Sequence, residues 1–270
     1  MELEKKYKDS KAFSSDSTKE TVLSTLCMNM FDSFVDWDSG KCSFDSDEFV
    51  QILEYANTYQ NADEINYDVM DSFVTNIRGK KHLFVELWAL SYEDVELYDA
   101  LFEHKLAFTG YPSKEEGYGA RFNNVIGIYS KTPNVEGAWS FLKHLLSREY
   151  LSSSDYEHGM PLRKDVFEDD MKRVTTTKTY TDDFGVERQP LDFSIGIAED
   201  LEVPVKPLTK DQEQIIRDLV SGVSHRFSSD SDIQAIIDEE AGALFSGQKS
   251  AKEVAGIIQN RVSTYVNETR

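Results

Sequence analysis

Cysteine is scarce in this chain: there are two in 270 residues, Cys27 and Cys42, fifteen positions apart. That count excludes a disulfide-stapled scaffold and a cysteine-rich zinc module, while a single pair and two free thiols both fit the spacing. Long apolar runs are missing too. A membrane-crossing helix needs roughly 18–20 apolar residues. The best stretch, His82-Leu-Phe-Val-Glu-Leu-Trp-Ala-Leu90, is short and carries Glu86 in its middle. The opening Met1-Glu-Leu-Glu-Lys-Lys-Tyr7 has no apolar run of the kind a secretory signal requires, so no signal peptide is expected in this chain. Basic residues are few: 29 Lys+Arg against 49 Asp+Glu leave a formal net charge of −20. Such a surface repels phosphate backbones, and no basic cluster offsets it, so no nucleic-acid partner is expected.

Catalytic signatures are also lacking. There is no G-x-S-x-G, H-E-x-x-H, G-x-x-x-x-G-K-[ST] or C-x-x-C pattern. Gly117-Tyr-Gly119 begins like a dinucleotide loop, but the third glycine is absent. His82, His104, His144, His158 and His225 are scattered without metal-ligand spacing, so no metal site is expected. Three acidic clusters resemble pieces of a calcium loop: Asp36-Trp-Asp38-Ser-Gly40, Asp45-Ser-Asp47 and Asp230-Ser-Asp232. None places glycine sixth and glutamate twelfth, so turns and helix caps are the better reading. Glu86, Glu239 and Glu240 can be nominated as a glycosidase carboxylate pair, but among 49 acids such pairs arise by chance.

What is present is core-forming material. With 40% hydrophobic and 12% aromatic residues the chain buries a sizeable interior despite its charge. Its length fits one large or two ordinary domains. Asp45 and Glu48 in capping-box spacing open a helix bearing Phe49, Ile52, Leu53 and Ala56, and a second helix over Tyr67–Arg78 ends at Gly79. Strands are predicted at Leu83–Leu90, Leu106–Phe108 and Asn124–Ser130, with a helix over Tyr92–His104. Thr132-Pro-Asn134 opens a helix whose Val135, Ala138, Trp139, Leu142, Leu145 and Leu146 form one apolar face, and Trp139 is predicted to pack in the core. This alternation predicts an α/β protein. Arg148–Pro207 is loop-rich, holding four of the six prolines. Capping boxes at Thr209/Gln212 and Ser250/Glu253, with apolar stripes between and after them, predict a helical C-terminal portion.

In an open α/β sheet, ligands bind at the carboxyl ends of strands. Trp88 and Tyr92 stand at the end of one predicted strand, and Tyr111 follows the next. Flat aromatic faces suit the apolar face of a sugar ring, with carboxylates and amides on its hydroxyls. Core packing of Trp88 is the competing reading.

The order of segments resembles the family 1 extracellular solute-binding proteins, the maltose-binding-protein-like sugar-binding subunits of ABC importers. The residues that carry the resemblance are Leu87-Trp-Ala-Leu90, Phe108-Thr-Gly-Tyr-Pro-Ser113 and Ile126-Gly-Ile-Tyr-Ser-Lys-Thr-Pro-Asn134. They continue with Gly137-Ala-Trp-Ser-Phe-Leu-Lys-His-Leu-Leu146, Gly159-Met-Pro-Leu-Arg-Lys164, Leu244-Phe-Ser-Gly-Gln-Lys-Ser250 and Ile258-Gln-Asn-Arg-Val262. They span roughly 45–165 and 208–270.

The resemblance implies a helix-rich, periplasmic-binding-protein-like (type II) two-lobed α/β fold that closes over a carbohydrate or other small polar solute by hinge motion. It implies no enzyme and no cofactor. It implies delivery of the solute to ABC permease subunits in the membrane, and a location at the cell surface or in the periplasm. The chain would divide into a C-terminal-lobe segment (1–124), a segment contributing to the N-terminal lobe (125–207) and a helical return (208–270). Trp88 falls where members commonly place a sugar-stacking aromatic; Tyr111 follows by the same resemblance and Tyr92 only from its sequence position. Members begin with a signal sequence, often a lipoprotein cysteine, and the opening strands of the N-terminal lobe, none of which is seen here. The expectation is therefore a C-terminal portion lacking most of one lobe, with an exposed apolar face prone to association. A glycosidase using paired carboxylates and an acidic interaction scaffold without a small-molecule site are the alternatives.

Overall fold

The computed structural model describes residues 2–14, 16–65, 72–86, 91–110, 118–120, 126–152, 160–176, 180–181, 184–188, 194–197, 201–227 and 229–270. Its first elements are α1 (Glu2–Lys6), α2 (Lys19–Phe34), β1 (Val35–Asp36), β2 (Lys41–Cys42), α3 (Asp47–Ala56), α4 (Phe73–Arg78) and α5 (Tyr92–Leu101). Then come β3 (Tyr118–Ala120), α6 (Val135–Leu145), α7 (Arg148–Leu151), α8 (Lys164–Val174), β4 (Tyr180–Thr181), β5 (Glu187–Arg188), β6 (Ser194–Ile197) and β7 (Leu201–Pro204). The chain closes with α9 (Lys210–Ser221), β8 (Val223–Arg226), α10 (Ser231–Phe245) and α11 (Ala251–Thr269). The protein is mixed α/β and mostly helical. Among the described residues the strands form two-stranded sheets: β1–β2, β4–β5 and β6–β7 antiparallel, and β3–β8 parallel.

Local chemistry sets the helix starts. Thr209 and Gln212 make the predicted reciprocal box at α9, and Ser250 and Glu253 make it at α11. At α3 the cap is Ser46, whose hydroxyl accepts from the Phe49 amide at 3.3 Å, rather than the predicted Asp45. The acidic clusters are also backbone devices. The Asp36 carboxylate accepts from the amides of Asp38 and Ser39 and from the Ser39 hydroxyl, closing the β1–β2 turn ahead of Gly40 at φ +71°. The Ser39 hydroxyl bond is the chief reason that carboxyl sits below its usual range. Asp230 caps α10 by accepting from the amides of Asp232 and Ile233.

One core unites the two ends of the sequence. α2, α3, α10 and α11 pack around Leu23, Phe34, Phe44, Phe49, Leu53, Ile237 and Ile258, all nearly sealed from solvent. Phe34, Phe44 and Phe49 form a three-ring cluster with centroids 4.9–5.5 Å apart, Phe44 and Phe49 edge to face. Gln259 of α11 bolts the hairpin to this unit, accepting from the Phe44 amide at 2.7 Å and donating to the Cys42 carbonyl at 3.0 Å. Both cysteines are free; Cys27 is buried, and that burial pushes its thiol far above the usual range.

A second core joins Tyr92 and Val95 of α5 to Phe167, Met171 and Val174 of α8, Val205, Leu208, and Ile216 of α9. A third packs Val74 and Ile77 of α4 on Leu101 of α5. The 148–207 region thus contributes core, through α8, rather than serving only as loop. Arg217 fixes α9 to α8 with a fork on both Glu168 oxygens, at 2.7 and 2.9 Å, while its guanidinium lies 5.6 Å from the Phe167 ring centroid.

Two further expectations are corrected. The predicted strands at 83–90, 106–108 and 124–130 do not form in the described parts: residues 83–86, 106–108 and 126–129 have no strand assignment, and 87–90 and 124–125 lie outside the described residues. Extended chain needs a hydrogen-bonding partner along its length. At 83–84 that partner is only the short segment Lys11–Ala12, with Leu83 donating to the Lys11 carbonyl and Phe84 to the Ala12 carbonyl. Trp139 does not pack in a core. No residue of α6 is buried, and Trp139 is 48% exposed. An apolar stripe specifies that a helix wants a cover, not that the fold supplies one. Among the described residues no helix is long and apolar enough to cross a membrane.

Phe49→Ala removes the ring at the centre of the first core and is expected to cost about 3–5 kcal/mol. Chemical denaturation followed on that unit checks this; a loss under about 1 kcal/mol contradicts the ring cluster's role.

Candidate functional site

α3 has two differently built faces. Phe49, Leu53 and Ala56 point into the first core, while Glu48, Gln51 and Tyr55 recur at helical spacing on an adjoining, mostly polar face, with Ile52 shared between the core and that face. That second face lines a cavity of about 580 Å³. Leu26 and Met30, one turn apart on α2, extend the same wall. The opposite side is built from irregular chain: Ala12 and Phe13, then Phe84, Val85 and Glu86, then Thr109 and Gly110. The lining is mainly apolar, with Glu48, Gln51, Tyr55 and Glu86 as its large polar side chains. A concave, largely apolar volume of several hundred Å³ with a few polar groups is the usual form of a small-molecule site.

A chain of hydrogen bonds holds the irregular side onto α3. The Phe13 amide donates to the Tyr59 hydroxyl at 3.3 Å, and that hydroxyl lies 2.9 Å from the Tyr55 hydroxyl. Tyr55 donates at 2.8 Å to a Glu4 carboxylate oxygen, which also accepts from the Ala12 amide at 2.9 Å. A relay that ends on a carboxylate is polarised along its length. Both phenols are pushed above the usual tyrosine range, chiefly by burial, so they stay protonated and able to donate. Lys11 lies with its ammonium 5.0 Å from the Tyr59 ring centroid. Segment 11–12 then pairs with 81–84, and this places Phe84 to Glu86 across the cavity from α3. His82, in that pairing, is 3% exposed, and burial depresses its imidazole below the ordinary value.

The sequence-predicted site residues fall differently. Trp88 and Tyr111 lie outside the described residues. Tyr92 is buried in the second core, its ring 6.4 Å from Phe167 and its hydroxyl 3.4 Å from Asp170, and it does not line the cavity. Of the three nominated glutamates, Glu86 lines the cavity, whereas Glu239 and Glu240 both pair with Arg261 on the α10–α11 surface. Among the described residues no cluster of His, Cys, Asp and Glu is arranged to hold a metal ion. The sequence points to Glu48 only as a helix-capping residue, and to Gln51 and Tyr55 not at all. The available signal was the second stripe itself, which runs beside the core-facing one on the same helix. No family model and no curated protein matches the chain.

Tyr55→Phe breaks the relay between α3 and Glu4 and is expected to cost about 1–2 kcal/mol. Hydrogen exchange at the Leu83 and Phe84 amides is expected to quicken; unchanged exchange contradicts the relay as the tether of that side. A second expectation concerns pH. The folded state holds His82 below the unfolded value near 6.5, so the unfolded chain takes up this proton first. Stability should therefore be full above pH ~7 and fall as pH drops through ~6.5. His82→Gln should flatten that window in a melting-temperature series, and an unaltered slope would rule out His82 as its source.

Proposed function

We propose that this protein is a solute-binding component of an ABC importer, of the family 1 type, and that its ligand is a carbohydrate or a similar small polar solute. One observation supports this reading above the others. The cavity's irregular wall includes Glu86 and Thr109–Gly110; Glu86 precedes Trp88 by two positions and Gly110 precedes Tyr111 by one. The aromatic residues nominated from the sequence therefore follow directly, along the chain, from residues that line a site-sized cavity.

The chemistry of the lining fits the proposal. Apolar side chains from α2 and α3 suit the C–H face of a sugar ring, and Gln51, Glu48 and Glu86 supply the acceptors and donors that its hydroxyls need. On this reading the cavity is one half of an interlobe cleft in a type II binding-protein fold. Trp88 and Tyr111 act as stacking platforms, and the ligand leaves unchanged to permease subunits on the extracytoplasmic side of a membrane. Nothing in the lining is asked to do chemistry.

The test is a thermal-shift panel of oligosaccharides at millimolar concentration. At least one glycan is expected to raise the melting temperature, by mass action on the folded state, with no change in the glycan itself. Trp88→Ala should abolish that shift while leaving the circular dichroism spectrum intact. No shift across a broad panel would defeat the carbohydrate assignment, and release of reducing sugar would favour a glycosidase instead.

A further inference from the structure

We infer that the exposed face of α6 is a self-association surface, on which two copies of this chain pack helix against helix, antiparallel, about a two-fold axis near Trp139 and Ser140. The inference does not rest on the carbohydrate reading.

The helix is well made but uncovered. Asn134 caps it, its side chain accepting from the Gly137 amide at 2.9 Å. Val135, Ala138, Trp139, Leu142 and Leu146 then recur at three- and four-residue spacing and form one stripe. Val135 is 53% exposed, Trp139 48% and Leu146 48%. Among the described residues the main packing partner of α6 is the short α7, and none of the three cores includes any residue of α6. An apolar stripe of this kind left in water is the mark of a surface that another surface covers.

Charge selects a second copy as the cover. The chain carries a net −20, yet from Lys131 to Leu146 it has two lysines, Lys131 and Lys143, and one acid, Glu136. This is a face on which two strongly acidic molecules meet without repulsion. Glu136 and Lys143 are seven residues apart, two helical turns, so they occupy one flank of the stripe. The Lys143 ammonium, 5.5 Å from the Trp139 ring centroid, places that flank at the stripe's edge.

When two helices pack antiparallel, like flanks face each other in reversed order. An axis midway between positions 136 and 143 sets Glu136 of each copy opposite Lys143 of the other, twice over. It also opposes the two helix dipoles. The same patch serves both partners, so the contact closes as a dimer instead of propagating.

Sedimentation velocity on the full chain across a micromolar-to-millimolar series tests this. Wild type is expected to pass from monomer to dimer. Trp139→Asp should stay monomeric, and its circular dichroism should be unchanged because Trp139 lies outside the cores. Glu136→Lys and Lys143→Glu should each weaken dimerisation about tenfold, since each sets like charges face to face at both contacts. The E136K/K143E double variant should regain wild-type affinity, and an equimolar mixture of the two single variants should form a heterodimer. Four results would overturn the inference: a wild-type monomer at millimolar concentration, open-ended aggregates without a dimer, dimerisation unaffected by Trp139→Asp, or a charge swap that restores nothing.

Discussion

Phe49 projects from α3 into a pocket walled by Phe34 and Phe44, and the helices that close this pocket come from both ends of the sequence. Once that ring is seated, the rotation of α3 about its axis is fixed. The rotation matters because α3 carries two different adjoining faces, one apolar and one largely polar. With Phe49, Leu53 and Ala56 committed to α2 and α11, the side bearing Glu48, Gln51, Ile52 and Tyr55 has one place to face, the cavity. The opposite wall inherits its position from α3 by a longer route, through Tyr55 and Tyr59 to Glu4, Ala12 and Phe13, and from Lys11 and Ala12 to Leu83 and Phe84. The site is therefore one rigid helical wall and one wall of extended chain tied to it by a few hydrogen bonds.

The large excess of acid is handled mostly at the surface and at chain reversals. Asp36 closes a hairpin turn, Asp230 caps a helix, and Glu253 and Asp94 complete capping boxes, each carboxylate accepting from backbone amides. Arg217 and Arg261 each serve two carboxylates, Glu168 with Glu213 and Glu239 with Glu240. These exposed pairs add little stability individually. Their value lies in giving α8, α9, α10 and α11 a preferred azimuth at low cost.

Legibility followed the range of the interactions involved. The caps at Thr209 and Ser250 were readable because the donor and acceptor lie three residues apart. The acidic clusters were readable as turns and caps for the same reason. Strands were over-read at Leu83 and Leu106 because an apolar extended run shows its own preference and not its partner; the partner of Leu83 is Lys11, far away in sequence. Trp139 was misplaced by the same logic, since periodicity reports a face and not what meets it. At the site, Glu86 is legible from the sequence as one of many acids, and the structure places it on the cavity wall. Gln51 and Tyr55 are not legible because the stronger stripe of Phe49 and Leu53 beside them accounts for the helix by itself. Tyr92 looked like a cleft aromatic from its place after a predicted strand, but its helix turns it toward Phe167.

The proposed function requires that the cavity between α3 and the 84–86 wall take the ligand. Its most direct test is methyl NMR of Met30 and Ile52 during titration with whichever oligosaccharide raises the melting temperature. The account predicts saturable shifts at both methyls, with none at Leu142 and Leu146 on α6. Shifts confined to α6, or binding that leaves Met30 and Ile52 unmoved, would contradict it.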